Sequence, residues 1–262
     1  MIYLVREENR YIMADKNNHF TVIVAGENPD ELIKQYDNNL KVEKYIVYKF
    51  SDAEKYKENT ANLYKQIIAS DNVPDVIREE YAENLKQLQS EDVIDFYSEL
   101  TDGFEIDQNT GDAISDRNPN GKYEVCRLGK YLAMPLVTNN GDEVFQARKK
   151  DINWKRINLG NQKIYEVAWD MVMNGKEPSN EDERTIYENM KNRKEYFRHY
   201  GTKEKYVASS TAFWGYAFLD NKAWVEIQDG DDEIDWILGF YKRFIKYLPE
   251  NTLISVYECI RN

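Results

Sequence analysis

The chain of 262 residues has little of what zinc sites and disulfide scaffolds require, since it contains two histidines and two cysteines. His19 and His199 have no cysteine or histidine partner at the spacing of zinc ligands, so no zinc site is predicted. Cys126 and Cys259 are too few for a disulfide scaffold, which favours a reducing compartment. Because both lie in strand-like segments, we expect small buried apolar side chains rather than reactive or paired thiols.

Long apolar segments are missing as well. The longest have the length of a β-strand, so no transmembrane helix is predicted. The first residues, Met1 to Glu7, lack the basic and apolar regions of a secretory signal. We therefore expect a cytoplasmic protein that does not bind a membrane.

Sequence motifs for catalysis and phosphate binding are also absent. The chain has no G-x-S-x-G elbow, and the Gly-Lys pairs at Gly121 and Gly129 lack the spacing of a P-loop. The acids at 229–235 could hold a hard cation, but acids are also expected where a helix begins. We expect no cofactor, no metal and no catalytic residue, and rank an enzyme that uses these carboxylates below a binding protein.

Most of the charge of this chain lies in one block. The net charge is −12, and residues 51–110 hold 15 acids against 5 bases. Capping signals at Ser51, Pro74 and Ser90 predict three helices in this block. The acids on their outward faces form either a solvated surface or a partner-binding one: Glu79, Glu80, Glu83, Glu91, Asp92 and Asp95.

Residues 122–156 are mildly basic, with 8 bases against 4 acids. Bases mixed with a tryptophan are used by proteins that hold nucleotides or single strands, whereas basic residues on a sheet edge can also prevent aggregation. Both interpretations stay open. The candidate anion- or nucleotide-binding residues are Lys122, Arg127, Lys130, Arg148, Lys149, Lys150, Trp154, Lys155 and Arg156.

The apolar periodicity predicts an α+β protein in three parts. Residues 1–117 form an α+β module in which short strands, including Phe20–Ala25, precede the three acidic helices. Residues 118–160 form a basic β-meander. Residues 161–262 form a ferredoxin-like βαββαβ domain, with its elements predicted at 164–173, 181–200, 210–219, 223–228, 232–248 and 253–260.

The aromatic segment Ala212–Leu219 is predicted to be a central strand of that domain. Alternation places Trp214, Tyr216 and Phe218 on one face of it. Either the N-terminal part of the chain covers this face or the face is a binding surface.

Three segments resemble a known family. They are Asn118–Gly129 (NPNGKYEVCRLG), Gln146–Trp154 (QARKKDINW), and the C-terminal aromatic helix followed by Leu253–Ile260. Together they are similar to uncharacterised phage and prophage proteins with the signature N-P-x-S-K-W-D-W-Y-x-I-G-G-R-W, over residues 118–260. The resemblance implies a phage setting and no activity, and residues 1–117 lie outside it.

The chain departs from that signature at several positions. Gly121, Tyr123, Glu124, Val125 and Cys126 replace its Ser, Trp, Asp, Trp and Tyr. The segment Lys130-Tyr131-Leu132 replaces its G-R-W, so a site that relatives build on those residues is not expected here.

The phage setting, the acidic helices and the missing catalytic motifs together predict a phage-encoded, non-enzymatic inhibitor. Its partner would be a host defence protein, such as a CRISPR effector or another nuclease complex, in the cytoplasm of an infected bacterial cell. An acidic surface can occupy a nucleic-acid channel by presenting phosphate-like charge. Direct nucleic-acid binding is not expected of so acidic a chain, and a homo-oligomer is left open. The alternative is a nucleotide or small-anion binder, such as a signalling-nucleotide sponge, that uses strands 122–156.

Overall fold

The computed structural model describes residues 19–70, 72–129, 133–159 and 162–261. Helices and β-sheets are mixed along the chain, which confirms the predicted α+β class. The chain forms two compact units. Unit 1 contains the described residues up to Leu40 and from Asn120 onward, and unit 2 is Lys41–Pro119.

The elements are as follows. The strands are β1 (His19–Ala25), β2 (Lys41–Tyr48), β3 (Glu105–Ile106), β4 (Ala113–Arg117), β5 (Val125–Leu128), β6 (Leu136–Val137), β7 (Glu143–Val144), β8 (Gln146–Arg148), β9 (Ala217–Leu219), β10 (Trp224–Glu226) and β11 (Leu253–Ile260). The α-helices are α1 (Pro29–Lys34), α2 (Ala53–Ala69), α3 (Asp75–Ser90), α4 (Val93–Leu100), α5 (Trp154–Leu159), α6 (Gln162–Asn174), α7 (Glu181–Met190), α8 (Lys194–His199), α9 (Lys203–Thr211) and α10 (Glu233–Phe240). Short 3₁₀ turns occupy Phe50–Asp52 and Lys149–Asp151, and a π turn at Tyr241–Ile245 continues α10.

Unit 1 is built on a sheet with the strand order β10-β9-β1-β11-β5. Strand β11 pairs antiparallel with β1 from Ile260 opposite His19 to Ile254 opposite Ala25. Strand β9 runs parallel to β1. Strands β5 and β8 pair with opposite ends of β11, and β8 completes the six-stranded sheet.

The alternation of side chains along the sheet produces two cores. On one face Ile23, Ile254 and Val256 pack in the same buried cluster as Trp236 and Phe240 of the α10 region. On the other face the buried cluster contains Val22, Val24, Tyr257 and Ile33 of α1. A third cluster lies among α6–α9, where Trp169, Phe197 and Tyr206 are in ring contact.

The predicted strand at 164–173 is wrong, because these residues lie in α6. The buried residues Tyr165, Ala168, Trp169 and Val172 recur at spacings of three and four, which is the period of a helix face. The large side chains at 165, 167, 169, 171 and 173 alternate as they would in a strand, and small Ala168 conceals the helical period. The βαββαβ order therefore does not form in residues 161–262. Strand β1, from the other end of the chain, lies at the centre of the sheet instead.

The predicted strand at 210–219 is also shorter than expected. Helix α9 continues to Thr211, and only Ala217–Leu219 pairs as a strand. Phe213 and Phe218 are buried in the same cluster, while Trp214 and Tyr216 are half-buried. The aromatic segment thus contributes mainly to the core of unit 1.

The two cysteines are paired, which corrects the expectation of separate buried thiols. Cys126 of β5 lies directly opposite Cys259 of β11, and the two form a disulfide with a Cα–Cα distance of 4.0 Å. Their separation of 133 residues in sequence gives no sign of this pairing, which the strand register produces. Disulfides are typical of oxidising compartments, so cysteine usage no longer supports a reducing one, and a cytoplasmic location stays a prediction.

The predicted domain boundaries also differ from the two units. Residues 19–40 belong with the C-terminal part because β1 pairs with β9 and β11. The predicted module 1–117 is therefore divided at Leu40, and residues 120–160 share unit 1 with residues 162–261. The predicted boundary after residue 117 lies two residues from the end of unit 2 at Pro119.

Unit 2 combines the sheet β2-β4-β3 with helices α2–α4. Its core is small, and its buried apolar members among the described residues are Ala53, Leu88, Phe96, Tyr97 and Ala113. The Tyr97 hydroxyl donates to the carbonyl of Tyr48 at 2.9 Å and accepts from the amide of Ala113 at 3.1 Å. Among the described residues, no helix has the length and apolarity needed to cross a membrane.

Candidate functional site

The outward face of α3 carries three of the predicted acidic residues. Glu79, Glu80 and Glu83 are exposed and follow exposed Val76 at offsets of three, four and seven, so all four lie on one side of the helix. The opposite side packs inside unit 2, where the Tyr81 ring lies 5.3 Å from that of Tyr64 on α2.

The other three predicted acids lie at the far end of α3. Glu91 is about 18 Å from Glu79 along a helix that rises about 1.5 Å per residue. The Asp92 carboxylate accepts from the amide of Ile94 at 2.8 Å and so caps α4. Asp95 is exposed beside Ile94, which is itself 63% exposed. The five exposed acids therefore form two patches, each with an exposed aliphatic side chain, while Glu91 is half-buried at the C-cap of α3.

These carboxylates are largely uncompensated. Among described residues, only Glu83 of the six makes an ion pair, with Lys86 at 3.1 Å. Unit 2 as a whole holds 18 acids against 9 bases, a net charge of −9. The rest of the chain holds 29 acids against 26 bases. Unit 2 is therefore the source of most of the protein's negative field.

Two of the predicted basic-site residues are part of the structure of unit 1. Lys149 is 5% exposed, and its ammonium donates to the carbonyls of Lys246 (2.9 Å) and Leu248 (2.7 Å) and to the Glu250 carboxylate (2.8 Å). The ring of Trp154 packs against those of Phe213 and Tyr241. Lys149 is therefore fully engaged within unit 1, whereas Trp154 is half-buried.

Some of the remaining basic candidates form ion pairs, and others are exposed. The Lys122 ammonium pairs with Glu226 at 3.1 Å, and the Arg148 guanidinium pairs with Glu27 and donates to the carbonyl of Asn251. Lys130 lies outside the described residues. The candidates with exposed side chains are Arg127, Lys150, Lys155 and Arg156. The nucleotide-binding alternative stays a prediction that depends on these four.

Glu226 is the acceptor of a closed network at the edge of the main sheet. Its carboxylate accepts from the Trp224 indole (2.8 Å), the Lys122 ammonium (3.1 Å) and the Arg261 guanidinium (3.1 Å). Burial by itself raises the pKa of Glu226, but the hydrogen bonds from Trp224 and Lys122 outweigh it and hold the pKa below its usual value. The network therefore neutralises the Glu226 carboxylate within unit 1.

A cavity of about 580 Å³ in unit 1 was not predicted from the sequence. Helices α6, α9 and α10 and the π turn form its walls. The sequence does not indicate this cavity, because residues 164–173 have the alternation of a strand and the π turn has no recognised sequence signal. One signal is present in the sequence: the lining residues Lys203, Val207 and Thr211 recur every four positions, which places them on one face of α9.

Neither a search for metal-ligand groups nor comparisons with known proteins assign a function to this chain. Across the described residues, no three histidine, cysteine, aspartate or glutamate side chains are grouped so that they could hold a metal ion. Comparisons with protein-family models, curated proteins and solved structures find no match to this chain. The function is therefore inferred from the surfaces and the cavity of the chain itself.

Proposed function

We propose that this protein is a phage-encoded, non-enzymatic inhibitor that uses unit 2 to bind a positively charged surface of a host defence nuclease. The observation that carries the proposal is the outward face of α3, where Glu79, Glu80 and Glu83 share one side with Val76. The resemblance of residues 118–260 to phage proteins supplies the setting. The partner's basic surface would be the channel in which it holds nucleic acid.

The combination of charge and exposed apolar side chains favours a protein partner. Val76 is 74% exposed and Leu63 on α2 is 53% exposed, and both lie in the strongly acidic unit. Apolar contacts contribute affinity at the centre of an interface, while complementary charges contribute orientation and association rate. A free nucleic acid, being a polyanion, would be repelled by the same surface.

The spacing of the acids suits a channel that binds phosphates. Glu79 and Glu83 are one helical turn apart, which separates their β-carbons by about 5–6 Å. A row of carboxylates at this spacing can contact several lysine or arginine side chains of one groove. The inhibitor would then compete directly with the nuclease substrate.

The proposal is tested with a charge-reversed variant, Glu79→Lys/Glu80→Lys/Glu83→Lys. Its matched control, Glu177→Lys/Glu181→Lys/Asp229→Lys, reverses three exposed acids of unit 1. Each protein is titrated into DNA-cleavage reactions of a panel of purified CRISPR effectors and other defence nucleases. We expect the wild type and the control to inhibit at least one nuclease, and the α3 variant to lose about tenfold or more in affinity for it.

Competition separates channel occupancy from binding elsewhere. Added duplex DNA should displace the wild-type protein from the nuclease, and raising the salt concentration should weaken the complex. Equal inhibition by the two triple variants, or no inhibition of any nuclease in the panel, would contradict the proposal. Inhibition that DNA does not relieve would remove the nucleic-acid-mimicking mechanism alone.

A further inference from the structure

The unpredicted cavity of unit 1 has the size of a small-molecule site, and we propose that it binds an organic cation with an apolar body. Its volume of about 580 Å³ lies within the range of ligand pockets, about 300–1,000 Å³. The cavity uses no residue of unit 2, so this inference is independent of the inhibitor proposal.

The floor of the cavity is apolar. Val207, Phe213 and Ile237 are nearly buried side chains that reach it from α9, the following segment and α10. Leu238 also lines it and is 39% exposed, so a ligand would remove apolar surface from water. Tyr241 also lines the cavity, and its ring packs against that of Trp154, with ring centroids 5.1 Å apart.

The charges at the rim favour a cation over an anion. Four charged side chains line the cavity: Glu166, Lys203, Glu204 and Lys242. The Lys203 ammonium is already neutralised, because it lies 2.8 Å from both carboxylate oxygens of Asp170. Two carboxylates then face one ammonium, that of Lys242, which makes no ion pair with any described residue. The remaining net charge is negative.

The aromatic wall strengthens that preference. A cation placed over the face of a tyrosine ring is attracted by the ring quadrupole. Glu166 is held by a hydrogen bond of 2.8 Å from the Gln162 amide one turn earlier on α6, which limits the positions of its carboxylate. A ligand that places its ammonium group near Glu166 and Glu204 and its apolar body against Val207 and Leu238 would match both the charge and the apolar surface of the cavity.

The π turn at Tyr241–Ile245 lies at this cavity. The amide of Lys246 donates to the carbonyl of Tyr241 at 2.8 Å, a bond that spans five residues instead of four. π-Helix is rare in proteins, and the single π turns that interrupt or continue an α-helix occur frequently at functional sites. Here the turn begins with the two lining residues Tyr241 and Lys242.

The test uses two probes with the same apolar body and opposite charge, 2-naphthylmethylamine and 2-naphthoate, in isothermal titration calorimetry with the full chain. We expect the amine to bind one molecule per chain and about tenfold more tightly than the carboxylate. The double variant Glu166→Gln/Glu204→Gln should lose this preference while it still binds the naphthyl group. Glu177→Gln, at an exposed glutamate outside the lining, should keep it.

Two further variants locate the binding. Ala208→Trp fills the cavity from α9 and should weaken both probes by about tenfold or more, whereas Lys205→Trp, on the same helix and outside the lining, should not. Leu238→Ser, at a partly exposed position, should weaken both probes severalfold, and it is the second variant if Ala208→Trp disturbs folding. Tighter binding of the carboxylate, no binding of either probe, or unchanged affinities in both Ala208→Trp and Leu238→Ser would overturn the proposal.

Discussion

Unit 1 and unit 2 differ in how much apolar surface they bury and in how much charge they carry. Unit 1 has a six-stranded sheet with buried clusters on both faces, a third cluster among its helices, and a disulfide. Unit 2 has a small core and a net charge of −9. Of the eleven exposed large apolar side chains in the described part of the chain, six lie in unit 2, although it is the smaller unit. Unit 1 therefore holds most of the buried apolar side chains, and unit 2 holds most of the net negative charge and more than half of the exposed large apolar side chains.

The two units can be followed separately in solution. All five tryptophans, Trp154, Trp169, Trp214, Trp224 and Trp236, belong to unit 1. Tryptophan fluorescence therefore reports unfolding of unit 1, while far-ultraviolet circular dichroism reports both units. Because a chain with two units can unfold in two steps, each transition has to be fitted by itself.

The largest difference should come from a core deletion in unit 1. Phe240 is fully buried and lies in ring contact with Phe213, Phe218, Trp236 and Phe244. We expect Phe240→Ala to lower the free energy of unfolding of unit 1 by about 3–5 kcal/mol, measured by urea unfolding with tryptophan fluorescence.

The contrasting deletion in unit 2 is Leu63→Ala, which truncates a helical side chain that is exposed rather than buried. It should change the unfolding transition seen by circular dichroism by less than about 1 kcal/mol. An equal loss in the two variants would show that unit 2 depends on its exposed apolar residues for stability, and the comparison between the units would fail.

The disulfide should have the next largest effect. Cys126→Ser opens a loop that spans 133 residues of sequence, and we expect a loss of about 2–4 kcal/mol in the stability of unit 1. Dithiothreitol should lower the stability of the wild type by a similar amount and leave the variant unchanged. A wild type insensitive to the reductant would mean unpaired thiols, as in a protein of a reducing compartment.

Glu226→Gln tests a smaller, pH-dependent contribution to unit 1. The side chain is 13% exposed and accepts three hydrogen bonds, two of them from cationic groups, so we expect a loss of about 1–3 kcal/mol at pH 7. Because the pKa of Glu226 is lower in the folded protein, its contribution is complete above about pH 4.5, the ordinary pKa of a glutamate. It is lost as the pH falls through the folded pKa.

Urea unfolding of wild type and variant between pH 7 and pH 3 measures this dependence. The stability difference between them should be constant near neutral pH and should shrink in the acid range. A difference that stays constant to pH 3 would exclude the charged network as its cause.

The smallest effect on stability should come from the acidic face of unit 2. Glu79→Gln/Glu80→Gln removes two exposed carboxylates that make no ion pair with a described residue. We expect a change of less than about 0.5 kcal/mol by circular dichroism. Together with the large effect on partner binding proposed for this face, that result would show that these carboxylates act in binding and not in stability. A loss of stability comparable to that of Glu226→Gln would contradict this conclusion.

Local signals in the sequence predicted the elements that depend on local physics. Strand β11 matches its predicted bounds at Leu253–Ile260, because a continuous apolar segment of this length is typical of a buried strand. Helix α7 begins after Asn180 as expected, since its side chain accepts from the amide of Glu183. The three acidic helices of unit 2 also form, but two of the predicted caps are wrong. Ser51 lies in a 3₁₀ turn and does not cap the first helix, and Asp92 rather than Ser90 caps the third.

The features that the sequence does not predict depend on contacts between residues far apart along the chain. Alternating large side chains at 165–173 suit a strand as well as a helix, and only burial against Phe197 and Tyr206 selects the helix. The pairing of Cys126 with Cys259 follows from the register of β5 on β11, and the burial of Lys149 follows from the carbonyls of Lys246 and Leu248. The cavity exists because three helices from separate parts of the sequence meet around it. The sequence by itself determined the α+β class, the three helices of unit 2, the start of α7 and the location of the negative charge, since these depend on neighbouring residues. Tertiary structure alone decided the sheet order, the disulfide and the cavity, because each joins residues that are far apart along the chain.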